Sequence, residues 1–170
     1  MRYISTRGGA PPLDFAQATL TGLASDGGLY VPEAWPAMSH EDIAQLRGLP
    51  YAELAARVIA PFVGDSLSPG RLLELTSQAY ARFAHEAVVP LSQLDAQHWL
   101  LELIHGPTLA FKDIALQLLG LLFDEFLARD DRGLTIVGAT SGDTGSAAFD
   151  AVAGRERVEI FMLQPAARIS

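Results

Sequence analysis

In the last third of the chain the apolar residues change their period several times, and each change marks a new element. Trp99-Leu100-Leu101-Glu102-Leu103-Ile104 is an apolar run of strand length. His105-Gly106-Pro107 breaks it, and Thr108 is suited to cap a helix. From about Leu109 to Ala128, the residues Ile114, Leu118, Leu121, Leu122 and Phe126 recur mostly at helical spacing, and Arg129 to Gly133 ends the pattern with charge and a glycine. Leu134-Thr135-Ile136-Val137 then reads as a β-branched buried strand. Small residues from Gly138 to Ala148 open a second, shorter helix that stops at Ala151 to Gly154, and Val158 to Leu163 reads as another strand. A β-α-β-α-β succession predicts the α/β class with a parallel sheet, whose ligand crevice lies beyond the carboxyl ends of the strands.

The preceding residues have a different pattern, mainly helical. Asp14 with Gln17 and Ser39 with Asp42 have the spacing of capping boxes, opening helices toward Leu23 and toward Arg47-Gly48. A helix from Tyr51 to Ala60 is expected to stop at Pro61. Ser68-Pro69 predicts a longer helix through about Phe83, with Leu72, Leu75, Ala79 and Phe83 as its buried stripe. A soft boundary at residues 84 to 97 divides the chain into a mainly helical domain, 1–90, and the start of an α/β domain, 91–170.

Composition narrows the functional classes. The chain has 170 residues, 49% of them hydrophobic, enough for a core. A net charge of −8 without any basic cluster argues against nucleic acid and anionic membrane surfaces as partners. The absence of cysteine removes disulfides, thiolate catalysis and thiolate metal sites. No apolar run reaches membrane-spanning length and the first residues lack a signal core, so the cytoplasm is the expected location.

Against eleven arginines, Lys112 is the sole lysine. Its place at the strand-to-helix junction allows a surface role, but also one that arginine cannot fill. Guanidinium stays protonated, whereas an amine can lose its proton and attack a carbonyl. The unpaired amides of a helix start oppose a second positive charge and favour the neutral amine. Asp113 pulls the other way, although sequence neighbours on a helix do not face each other. The next junction, Gly138 to Ala148, carries Ser141, Gly142, Asp143 and Thr144, a loop able to grip a carboxylate or phosphate, or an ordinary turn capped by Thr144. It is neither a Walker A loop nor a G-x-G-x-x-G turn. His98 and His105 read as satisfied turn or strand-end residues before catalytic ones, Glu102 as a solvent-facing carboxylate before an anchor for the loop behind Lys112, and Arg7 as an exposed arginine before a phosphate contact.

Three segments together, HGPTLAFKD (105–113), ATSGDTGSAA (139–148) and SDGGLYVP (25–32), resemble the threonine synthases. The likeness begins at YISTRG (3–8) and continues to QPAARIS (164–170). It implies a fold-type-II enzyme of the tryptophan synthase β-subunit-like group that uses pyridoxal 5'-phosphate to turn O-phosphohomoserine and water into threonine and phosphate. Under this resemblance Lys112 is the Schiff-base lysine and Phe111 a neighbour of the cofactor ring. Ser141, Gly142, Asp143 and Thr144 form the loop that meets the substrate carboxylate or the ring hydroxyl. Related folds carry Asn where this chain has Asp143, which leaves that residue's role open.

The resemblance also implies more chain than is present. The family places the cofactor's phosphate cup and the partner of its ring nitrogen much later, so the sequence reads as an amino-terminal portion, inactive alone and prone to self-association. Two alternatives stand beside this reading. One is a threonine-synthase-like phospho-lyase that ends in a 2-oxo acid; the other is a non-catalytic α/β binding module in which Lys112 is incidental.

Overall fold

A computed structural model describes residues 1–166. The chain divides into two compact units, 1–76 and 77–170, and the end of the QPAARIS segment, 167–170, lies outside the described residues.

In the first unit a short strand, β1 (Tyr3–Ser5), pairs antiparallel with β2 (Tyr30–Pro32) in the register Tyr3 to Pro32 and Ser5 to Tyr30. Neither strand was legible from periodicity, because three residues are too few to display an alternation and the pairing partner is remote in sequence. Between them lies α1 (Phe15–Thr21), opened by the expected capping box: Gln17 N–H donates to Asp14 at 2.7 Å and Asp14 N–H donates to Gln17 at 3.1 Å. Next comes α2 (His40–Gln45), opened by the reciprocal pair of Ser39 and Asp42. The following helix, α3 (Tyr51–Val63), runs through Pro61 instead of stopping there. Proline removes only one helical donor, and continuing for two more residues buries Val63 to 2% exposure. Tyr3 ties the small sheet to this helix, its hydroxyl donating to the Phe62 carbonyl at 2.9 Å.

A 3-10 turn at Gly64–Ser66 leads to α4 (Pro69–Tyr80), where the Ser68 hydroxyl accepts from the Arg71 amide at 3.2 Å. Leu72, Leu75 and Ala79 form the buried stripe that the sequence predicts. Phe83 lies beyond the helix end and is only half-buried.

In the second unit the α/β class holds, with the first strand paired differently. The strand β4 (Trp99–Leu101) does not join a parallel sheet among the described residues. It pairs antiparallel with β3 (Leu91–Gln93). The hairpin link explains this: the Asp95 carboxylate accepts from the amides of Gln97 and His98 at 2.8 and 2.9 Å and binds the His98 ring, closing a turn too short for a parallel crossover.

The long helix α5 (Asp113–Arg129) packs along α6 (Asp143–Val152), and α6 connects β5 (Leu134–Ala139) to β6 (Val158–Leu163). These two strands are parallel, in the register Leu134 to Val158 through Ala139 to Leu163. The expected burial of β5 needs correction. Burial alternates along both strands, leaving Val137, Phe161 and Leu163 at 70%, 59% and 67% exposure on one face. The core of this unit is instead the α5–α6 interface and the inner strand face, with Leu118, Leu121, Leu122, Phe126, Leu127, Ala147 and Val152 buried.

Candidate functional site

Lys112 sits at the N-cap of α5, not in its first turn, and no side chain caps that helix end. The expected start at Leu109 is displaced for a local reason. Leu109 has φ of 62°, a left-handed conformation that an α-helix cannot contain. Residues 106 to 112 therefore form successive turns, with Leu109 N–H donating to the Gly106 carbonyl at 3.1 Å and Asp113 N–H to the Ala110 carbonyl at 3.0 Å. Thr108 does not act as the expected cap. Its amide and hydroxyl both donate to the Asp113 carboxylate, at 2.8 and 2.7 Å. Asp113 is fully buried, so its carboxylate is a structural anchor that folds the loop back on the helix start and presents Lys112 at the bend. Gly106 completes the turn, because a Cβ there would collide with the Asp113 side chain.

Behind this loop lies a second polar group. Glu102 is not the solvent-facing carboxylate of expectation: its side chain is 26% exposed, accepts a hydrogen bond from the Ser92 hydroxyl, and lies 2.8 Å from His105 Nε2. The hydrogen bonds from Ser92 and His105, with the positive potential of His105 and His85, hold its carboxyl below the usual range. The His105 carbonyl accepts from the Ala84 amide at 2.9 Å, which anchors the entrance to the Gly106 turn. His98 is a turn residue paired with Asp95, as expected. In the first unit Arg7 donates to the Asp26 carbonyl at 3.1 Å.

The second predicted loop begins where β5 ends. The Thr140 amide donates to the Leu163 carbonyl at 3.1 Å, the Gly142 amide to the Thr140 hydroxyl at 3.3 Å, and α6 starts from Gly142 without a side-chain cap. Thr144 is thus inside the helix and is not its cap. Gly145 is buried at a position where a Cβ would collide with Thr140, which explains the glycine without invoking a ligand.

Lys112 and Thr144 line one cavity of about 400 Å³, with Phe111, Ile114, Ala115 and Leu116 completing its almost wholly apolar wall. The Lys112 amine lies 4.2 Å from the centroid of the Phe111 ring. Ser141 and Gly142, on the loop before α6, and Asp143, its first residue, are not part of that wall. Sequence reasoning missed Thr108 and Asp113 as the clasp of the lysine loop. The signal was present as a threonine and an aspartate five residues apart just after a Gly-Pro pair, but it reads equally well as an ordinary cap.

An amine at an apolar wall, beside an exposed aromatic ring and a hydroxyl on an uncapped helix start, suits a flat carbonyl-bearing ring and a small anionic substrate. A family model for the threonine synthase N terminus matches residues 2–80. The chain is 55% identical to a threonine synthase of Pseudomonas aeruginosa over all of its own length and 36% of that protein's. Among solved structures, PLP-bound threonine synthase from Brucella melitensis is similar with a TM-score of 0.96 at 50% identity, covering 100% of this chain and 37% of that one. Threonine synthase from yeast is similar with a TM-score of 0.90 at 37% identity, covering 99% and 36%. The chain therefore spans little more than a third of the length of the relatives it matches.

Proposed function

Because the chain belongs to the threonine synthase family, matching the first third or so of its members along the whole of its own 170 residues, we propose that it contributes the reactive amine and an anion-binding loop to an enzyme that converts O-phospho-L-homoserine and water into L-threonine and phosphate. The observation that carries this reading is the shared cavity of Lys112 and Thr144. Residues from two different strand-to-helix junctions meet there, as a substrate held by its carboxylate and worked on at the adjacent carbons requires.

The residues present fit pyridoxal phosphate. Lys112 would hold its aldehyde carbon, the Phe111 ring would lie near the cofactor ring, and Asp143, beside Thr144 at the start of α6, would reach a protonated partner such as the ring hydroxyl. When bound, the cofactor's pyridinium ring withdraws electrons and makes protons on the attached substrate acidic. The rest is work for the protein. The reaction takes protons from Cα and Cβ, expels phosphate from Cγ, places a proton on Cγ to make the methyl group, adds the hydroxyl of a water molecule at Cβ, and returns a proton to Cα. The Lys112 amine, once released, stands at the cavity wall, where it can take the protons from Cα and Cβ and deliver protons to Cγ and Cα. The Thr144 hydroxyl and the leading amides of α6 would hold the substrate carboxylate, with Ser141 and Gly142 shaping the loop. The apolar wall excludes water on the Ile114 to Leu116 side.

The same reading extends to a cytoplasmic enzyme of small molecules, without nucleic-acid partners. Among the described residues no helix is long and apolar enough to cross a membrane. It also keeps the division into a helical domain, 1–90, and the start of a cofactor-binding domain, 91–170, as assignments of role.

Borohydride reduction of the full-length enzyme with pyridoxal phosphate, followed by peptide mapping, should place the pyridoxyl group on Lys112. Incubation with phosphohomoserine should release threonine and phosphate. Release of 2-oxobutyrate in place of threonine would transfer the chain to the phospho-lyase reading, and an unlabelled Lys112 would sink both enzymatic readings in favour of a non-catalytic binding module.

A further inference from the structure

The two helices that begin at the site are tied together by a polar triangle one to two turns further on. Asp150 on α6 accepts a bidentate pair from Arg82, at 2.8 and 2.9 Å, and a third hydrogen bond from the Gln117 amide at 2.6 Å. The triangle closes when the Arg82 guanidinium also donates to the Gln117 carbonyl oxygen at 2.9 Å. Gln117 is 2% exposed, and both ends of its side-chain amide are used in these bonds. A buried amide engaged in this way permits one arrangement of its neighbours, since shifting either helix leaves a polar atom unpaired in the core.

Height along the helices matters because of what precedes each member. Gln117 stands five residues after Lys112, and Asp150 six residues after Thr144. Close packing next to the triangle keeps the helices from separating: Gly120 has no room for a Cβ because the Ala151 carbonyl fills the space. Arg82 comes from the segment after α4, so it braces both helices from outside their own pair.

We propose that Arg82, Gln117 and Asp150 are positioning residues for the reaction proposed above, setting the separation and relative height of the Lys112 amine and the Thr144 hydroxyl. The inference rests on that functional reading for its consequence in catalysis, while its geometric content is independent of it. A second bridge between the same helical regions supplies a control. Arg155, just beyond α6, donates to Asp124 on α5 at 2.6 Å, farther along both segments from the site.

The test uses the full-length enzyme carrying Arg82→Lys, Asp150→Asn, both together, or Asp124→Asn. Arg82→Lys keeps the charge but loses the planar fork, and Asp150→Asn keeps the shape but loses the carboxylate. Misplacement by an ångström costs on the order of a hundredfold, so a partial slip should lower kcat/KM on the order of tenfold. That loss is expected mainly as a raised KM, with a matching rise in the Kd of L-threonine by calorimetry and no change in the absorbance of the bound cofactor. The double variant should lose little more than either single one, because the members act as a unit. Asp124→Asn should lower Tm comparably and leave KM in place.

A geometric readout keeps the inference separate from the functional reading. Nitroxides attached at Lys112→Cys and Thr144→Cys should show a dipolar broadening that Asp150→Asn alters and Asp124→Asn does not. Unchanged dipolar broadening in Asp150→Asn, or a KM that moves equally in Asp124→Asn, would overturn the positioning role. Altered broadening in an enzyme whose unsubstituted form makes no threonine would leave the geometry standing and remove the functional reading instead.

Discussion

The Lys112 amine rests 4.2 Å from the centroid of the ring of its own sequence neighbour, Phe111, and both line the cavity that Thr144 reaches from the next junction. A cation over an exposed ring gains only about 0.5–1 kcal/mol. The contact therefore parks the amine without committing it, and a covalent bond to a carbonyl easily displaces it.

The first prediction rests on that position. In the full-length enzyme Lys112→Ala should abolish both cofactor attachment and turnover, and Lys112→Arg should fail equally, because a guanidinium keeps the charge but supplies no nucleophilic amine. Absorbance spectra and a threonine assay check both variants. Appreciable threonine formation by the arginine variant would refute the assigned role.

Thr144→Val keeps the shape of the cavity wall and removes one hydroxyl. Loss of one hydrogen bond to a carboxylate costs roughly 1.5–3 kcal/mol. We expect KM for phosphohomoserine to rise by that amount while the cofactor spectrum stays in place. Steady-state kinetics beside a cofactor titration separate the two effects, and unchanged kinetics would return Thr144 to the role of an ordinary helix residue.

Two glycines should respond in opposite directions to alanine. At Gly106 a Cβ would collide with the buried Asp113 side chain, which cannot swing away without releasing Thr108. Gly106→Ala should destabilise by about 1–3 kcal/mol. Nothing stands within 4 Å of a Cβ at Gly70, in the first turn of α4. Gly70→Ala should be neutral or stabilising, by up to about 1 kcal/mol, through the unfolded chain. Chemical denaturation midpoints measure both.

A pH prediction comes from the first unit. Asp26 accepts from the Ser5 hydroxyl at 2.7 Å and from the amides of Gly28 and Gly9 at 2.9 and 2.8 Å, and these bonds hold its carboxyl below its ordinary value of 3.8. A group whose folded value is depressed binds fewer protons folded than unfolded. Its contribution is therefore complete above the ordinary value and lost as pH falls through the folded one. Asp26→Asn should lower stability near neutrality, and the gap to the unsubstituted protein should narrow as pH drops below 3.8. Urea midpoints measured at several pH values give the comparison; a gap independent of pH would contradict it.

For the 170-residue polypeptide prepared alone, the apolar sheet face is decisive. Val137 is paired with Phe161 and Ala139 with Leu163, so their outward side chains form a continuous exposed apolar strip. Such patches drive association. Light scattering should report species larger than a monomer, and Phe161→Thr should reduce them. Equilibrium dialysis should find weak retention of pyridoxal phosphate, because this segment supplies an amine and one loop. Tight stoichiometric binding by a monomer would count against both expectations.

Local rules account for much of what was legible beforehand. Both capping boxes, at Asp14 with Gln17 and at Ser39 with Asp42, depend only on residues three apart, and the sequence by itself determined them. The same holds for β6 and for the buried stripe of α4. Long-range pairing was not legible in this way. β1 and β2 are too short to show a period, and β4 turned to β3 because the Asp95 turn closed a hairpin. The site divides along the same line. Residue chemistry singled out Lys112 and the loop at Thr144, since a sole lysine and a glycine-rich strand-to-helix turn are visible in one dimension. Their meeting on one wall, the left-handed Leu109 that moves the helix start, and the burial of Asp113 under Thr108 were decided only by tertiary structure. A side chain's reach depends on where the chain bends, and that bend is set by contacts between residues whose spacing alone carries no direction.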